Sequence, residues 1–218
     1  MTSRIYTIEE ILENQQKLYQ GNVEPWVKFV QTSMVQHPFH NTSHVIWVMT
    51  QVYNALEYYQ DHGKPFDPLV AFDMLIAALM HDWDHTGGSG PDSENIRRAV
   101  IGFVDHSQLE WSSYDVQRAV NVMKLIRATQ LPLLQKEWSL EEQILQDADM
   151  SYNFAPGNWV ERVQCLAQEK GVSVHNMMCG QKAFMEALVF STEWGKDSFG
   201  AEIQQRIQEI ATAPSVEE

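Results

Sequence analysis

The sequence predicts an all-α fold, one helical bundle, on three observations. Apolar residues recur at three- and four-residue spacing along nearly the whole chain, and period-two alternation is scarce. Helix start signals punctuate that pattern: capping-box sequences at Thr7-x-x-Glu10 and Ser139-x-x-Glu142, a capping Asn41, and Pro25 suited to a first turn. At 218 residues, 44% hydrophobic and 20% charged, the chain suits a single well-filled domain.

In order, Thr7 opens a helix through about Tyr19, and Pro25 starts a short one to about Gln36. Asn41 caps a long helix carrying the stripe Val45, Val48, Met49, Val52, Leu56 and Tyr59, which the run His62-Gly63-Lys64-Pro65 ends. Leu69 to Met80 is apolar nearly all round, as expected of the centre of a bundle. Gly87-Gly88-Ser89-Gly90-Pro91 is the strongest break and predicts a flexible loop. Further helices are predicted over 93–104, 113–129, 140–146, 159–170, 174–194 and 199–212. The acidic end, Val216-Glu217-Glu218, is expected to fray.

Composition narrows the function. A net charge of −14 excludes a nucleic-acid polymer as the expected partner, because phosphate backbones are held by basic surfaces. No window approaches the roughly 20 apolar residues of a membrane span, and the first twenty residues contain no signal-like apolar run. Cys165 and Cys179 are too few for a disulfide scaffold and predict free thiols in a cytoplasmic protein.

Four residues stand out as metal-ligand candidates: His44, His81, Asp82 and Asp149. They lie in H-N-x-x-H (His40 to His44), H-D-x-D-H (His81 to His85) and A-D-M-S (Ala148 to Ser151). Two imidazoles and two carboxylates suit a divalent ion such as Mg, Mn, Fe, Co or Zn, whereas a thiolate-preferring metal would want cysteine. His40 and His44, like His81 and His85, are four apart and share a helix face if both are helical. Asp149 comes from a distant helix and would close the site from across the bundle. Such a set predicts metal-assisted hydrolysis, in which a cation makes water nucleophilic near neutral pH.

These strings resemble a known family. Pro38-Phe39-His40-Asn41-Thr42-Ser43-His44-Val45 and Leu79-Met80-His81-Asp82-Trp83-Asp84-His85-Thr86-Gly87 are similar to signatures of class I cyclic-nucleotide phosphodiesterases. Leu125 to Thr129, Asp147 to Ser151 and Gly180 to Phe184 resemble further segments in the family's order, over roughly residues 37 to 194. The wider group is the all-helical HD-domain phosphohydrolases. The resemblance implies that residues 1–36 pack on a phosphohydrolase core of 37–212, followed by the tail 213–218. It implies His44, His81, Asp82 and Asp149 as ligands of one or two divalent ions, with Asp82 bridging if there are two. It also implies His40 as the general acid on the leaving 3′ oxygen, and Asp84 and His85 as groups that orient the water. Gln181 and Phe184 would grip a purine, and Glu94 would hydrogen-bond a water of the site.

The sequence departs from the family in two places. Residues 85–148 are fewer than the family spreads between these motifs, and its E-N-H-H segment is reduced to Glu94-Asn95-Ile96-Arg97-Arg98, without histidines. Arg97 or Arg98 could meet a substrate phosphate, or be solvated surface residues. The expected function is metal-dependent hydrolysis of a small phosphate ester, a nucleotide or 3′,5′-cyclic nucleotide first. Alternatives are a 5′-nucleotidase-like phosphomonoesterase, a metal-bound nucleotide sensor without turnover, and an HD-fold di-iron oxygenase. The last would want more histidines than His106 supplies between His85 and Asp149. His37, His62, His106 and His175 are expected to be surface or capping groups, and Trp83 to wall the pocket. The apolar helix faces would accommodate a homodimer, though nothing specifies one.

Overall fold

A computed structural model describes residues 6–14, 17–110, 116–131 and 137–212. Among them are ten helices and no strand. The helices are α1 (Ile8–Glu13), α2 (Glu24–Ser33), α3 (Thr42–Asp61), α4 (Pro68–Met80), α5 (Asp92–Glu110), α6 (Val116–Ala128), α7 (Leu140–Met150), α8 (Trp159–Lys170), α9 (Val174–Ala187) and α10 (Glu193–Thr212). A single 3₁₀ turn, Ser151–Phe154, follows α7.

α4 lies at the centre, with α2, α3, α5, α6 and α7 packed around it. Every residue from Ala71 to Met80 is buried, as an all-round apolar helix requires. Its one buried charge, Asp73, accepts from the Arg118 guanidinium at 2.7 and 3.1 Å, which satisfies the carboxylate inside the bundle. α8, α9 and α10 form a second group beside α3 and α7, joined through the 3₁₀ turn. No described helix is long and apolar enough to cross a membrane.

Both capping boxes form, and Asn41 and Asp67 each accept two backbone N–H groups at the starts of α3 and α4. Boundaries differ from expectation where tertiary contacts decide them. α1 ends at Glu13 rather than near Tyr19, with Asn14 as its C-cap and its N–H returned to the Glu10 carbonyl. α5 runs on to Glu110 and α7 to Met150. The start of the predicted 113–129 helix and the acidic tail lie outside the described residues. The single predicted helix over 174–194 is two, because the Asp147 carboxylate takes the N–H groups of Ser191 and Thr192 and the Thr192 hydroxyl. Thr192 Oγ1 in turn accepts from Gly195 N–H, so a new helix starts there.

The glycine run packs closely. Gly87 and Gly88 have φ of 64° and 78°, the region that favours glycine. A Cβ at Gly87 would overlap the His37 ring, and one at Gly88 would stand 3.0 Å from the Glu169 carbonyl oxygen. The loop is therefore seated against the end of α8.

Candidate metal centre

Three helix ends converge on one point. Asn41 caps α3, which puts His44 in its first turn. His81 is the last cap residue of α4, and Asp82 follows in the tight turn. Asp149 sits one residue before the end of α7, whose last turn is closed by Ser151 Oγ–H donating to the Ala148 carbonyl. Trp47 Nε1–H donates to Ser151 Oγ at 3.0 Å and ties α3 to that end.

The four side chains point at one another. His44 Nε2 is 3.0 Å from Asp82 Oδ2, 3.2 Å from Asp149 Oδ1 and 3.2 Å from His81 Nε2. His81 Nε2 is 3.2 Å from Asp82 Oδ2 and 3.6 Å from Asp149 Oδ1. Metal–donor bonds of about 2.0–2.2 Å put neighbouring donors on one ion roughly 3–3.5 Å apart, so His44, His81 and Asp149 are spaced for a single cation, with Asp82 Oδ2 beside both imidazoles. His81 Nδ1–H donates to the Ala78 carbonyl at 2.9 Å, which leaves the Nε2 lone pair facing the cluster. Burial opposes charge on all four groups, yet Asp149 and Asp82 raise the His44 and His81 pKa values. Those imidazoles in return hold both carboxylates well below the usual carboxylate range. Positive charge is what this donor set stabilises.

Beside it lies a second cluster that sequence reasoning missed in part: His40, His85 and Glu169. Glu169 comes from the last turn of α8. Its Oε2 accepts the backbone N–H groups of Phe39 and His40 at 3.0 and 3.1 Å, and its Oε1 takes His40 Nδ1–H. Burial opposes the Glu169 charge, but these bonds and the facing His40 hold its pKa down at about 2. His40 Nε2 then faces Asp82 Oδ2 at 3.9 Å. The His85 ring stacks on His40 with centroids 3.8 Å apart. Asn95, its oxygen taken by Thr86, turns its NH₂ to His85 Nε2 at 2.8 Å, and the Gly87 N–H points at His85 Nδ1 at 3.1 Å, so the ring is held at both nitrogens. Burial lowers the His85 pKa to about 4.

An open pocket of about 380 Å³ begins at this double cluster. His40, His44 and Asp149 line one side, and Gln181 and Phe184 of α9 line another, with Lys170 at the end of α8. Gln181 is 7% exposed and Phe184 39%.

Residues 39–154, just over half of the chain, match the 3′5′-cyclic nucleotide phosphodiesterase family. The chain belongs to that family. It is a phosphodiesterase-type hydrolase, of a family that normally uses divalent metals. Among solved structures the fold is similar to LmjPDEB1, solved in complex with IBMX. The TM-score is 0.54 at 15% identity, over 86% of this chain and 76% of that one. No curated protein matches.

This family member differs from its sequence-based expectation at several positions. Asp84, with φ of 58°, turns its side chain to Arg98 Nη1 at 3.3 Å. Glu94 is held by Arg97 at 2.7 Å and Arg98 at 3.2 Å, and burial works weakly against these pairs, which pull its pKa to about 2. Neither carboxylate belongs to a donor cluster among the described residues. Both arginines are thereby committed to carboxylates rather than facing the pocket. Trp83 packs face to face on Phe29 and against Gly102, and its Nε1–H donates to Ser33, so it anchors α2 and α5 instead of walling the pocket. His106 is buried and stacked on Phe29, and His37 bonds the His85 carbonyl at 2.7 Å. Only His62, bonded to the Tyr58 carbonyl at the end of α3, and exposed His175 behave as simple capping or surface groups.

Proposed function

We propose that the chain hydrolyses a 3′,5′-cyclic nucleotide at one divalent ion held by His44, His81, Asp82 and Asp149, within a core of residues 37–212. When bound, the ion supplies Lewis-acid charge and a nucleophile from water near neutral pH. The observation that carries this reading is the four-donor cluster directly beside His40, at the head of a pocket whose far wall holds Gln181 and Phe184.

His40 acts as the general acid. With Nδ1–H committed to Glu169, the proton it gives to the leaving 3′ oxygen is the one on Nε2, the nitrogen facing the donor cluster. Glu169 fixes the ring plane, stabilises its positive charge and anchors the turn before α3 through two backbone N–H groups. His85, neutral and locked by Asn95, is a flat support on the other face of His40. Gln181 offers an amide to the edge of the base, and Phe184 a ring for its face.

The test is metal content with turnover on 3′,5′-cyclic nucleotides, 5′-nucleotides and other phosphomonoesters. Cyclic-nucleotide hydrolysis that depends on bound metal is expected. Hydrolysis of monoesters alone, or nucleotide binding without product, would replace this reading.

A further inference from the structure

Among the described residues, Lys170 is the only lysine or arginine lining the pocket that holds His40, His44 and Asp149. It is exposed, and among the described residues its ammonium has neither a carboxylate partner nor a hydrogen bond. Most other described cations pair with carboxylates: Arg97 and Arg98 with Glu94, Arg118 with Asp73, Lys64 with Glu193, Arg206 with Glu209, Lys28 with Glu24, Lys124 with Glu142 and Lys182 with Glu186. The turn that carries Lys170 is fixed. Gly171 closes α8 with φ of 64°, and Val172 N–H returns to the Ala167 carbonyl at 3.0 Å. Glu169 beside it is locked to His40, and Leu166, one turn earlier, lines the same pocket.

We infer that Lys170 is the pocket's anion-recognition residue, setting the preference for a phosphate-bearing ligand over its uncharged nucleoside. This rests on the pocket being the substrate site of the proposed reaction. An incoming phosphodiester anion meets three carboxylates, Asp82, Asp149 and Glu169, set around this end of the pocket. A lysine on the wall offsets that repulsion for any phosphate ester, cyclic or open. Its effect falls on capture of the ligand, not on proton transfer, because His40 and Glu169 already occupy the reacting side.

The experiment compares wild type with K170Q, K170E and K170R, all metal-loaded, by equilibrium binding of cyclic AMP, 5′-AMP and adenosine at low and high salt. We expect K170Q to weaken both nucleotides roughly three- to tenfold and K170E more, with high salt erasing much of the difference. K170R restores binding, and adenosine is unaffected. Equal loss for adenosine, or no loss for either nucleotide, overturns the inference and leaves Lys170 as a charge complementing the end of α8. A wild type that binds nucleotides through Lys170 but hydrolyses none would refute the proposed function and leave this inference standing. A wild type that binds no nucleotide overturns both.

Discussion

Glu169 holds His40 at two levels: one carboxylate oxygen takes the imidazole Nδ1–H, and the other takes the backbone N–H groups of Phe39 and His40. An acid residue built this way should lose function in two grades. His40→Ala should lower kcat by about 10²–10⁴-fold and Glu169→Gln by about 10–100-fold, both with metal content unchanged. The double variant should be little worse than His40→Ala, because Glu169 acts through the ring. Steady-state kinetics with metal analysis checks this, and an unaltered kcat in Glu169→Gln would remove the residue from the mechanism.

His85 makes stability depend on pH. An unfolded histidine titrates near 6.5 and folded His85 near 4, so between those values the unfolded chain binds more protons. Its contribution is therefore complete above about pH 6.5 and is lost as pH falls through 4, on the order of 2–3 kcal/mol. Urea unfolding at pH 7 and 4.5 should show a smaller drop for His85→Gln than for wild type, by about that amount. Parallel drops would mean that His85 is already charged in the folded protein.

Gln181 and Phe184 face the pocket from α9, three residues apart. Phe184→Ala should weaken cyclic-nucleotide binding by about 1–3 kcal/mol through lost stacking, with kcat little changed. Gln181→Ala should narrow the preference between adenine and guanine. Unchanged KM values for both bases would place the base elsewhere.

Gly102 leaves room for the Trp83 ring, which a Cβ there would overlap. Gly102→Ala should destabilise the fold by about 1–3 kcal/mol by displacing the indole from Phe29. Metal content at low temperature should be retained, because Trp83 faces away from the donors. A thermal melt beside metal analysis checks both parts, and an unchanged melting temperature would show that the ring has space to move.

How much was legible follows from whether a signal is local. His44, His81, Asp82 and Asp149 could be read because each sits at a helix end beside a capping or turn signal, and the structure brings all four together. Glu169 could not. Its contact with His40 spans 129 residues, and Gln168-Glu169-Lys170 looks like any solvated helix end. Asp84 and Glu94 show the opposite case: nearness to the motif suggested a role, and the arginines they pair with come from α5, which the motif itself does not reveal. The break between α9 and α10 was hidden because the buried carboxylate that caps Ser191 and Thr192 comes from α7.

The most direct measurement is metal stoichiometry and cyclic-nucleotide turnover on the same samples of wild type, Asp82→Ala and Asp149→Ala. About one divalent ion per wild-type chain is expected with hydrolysis to the 5′-nucleotide, and loss of both in each variant. Full activity in a wild type stripped of metal, or metal retained in both variants, would contradict it.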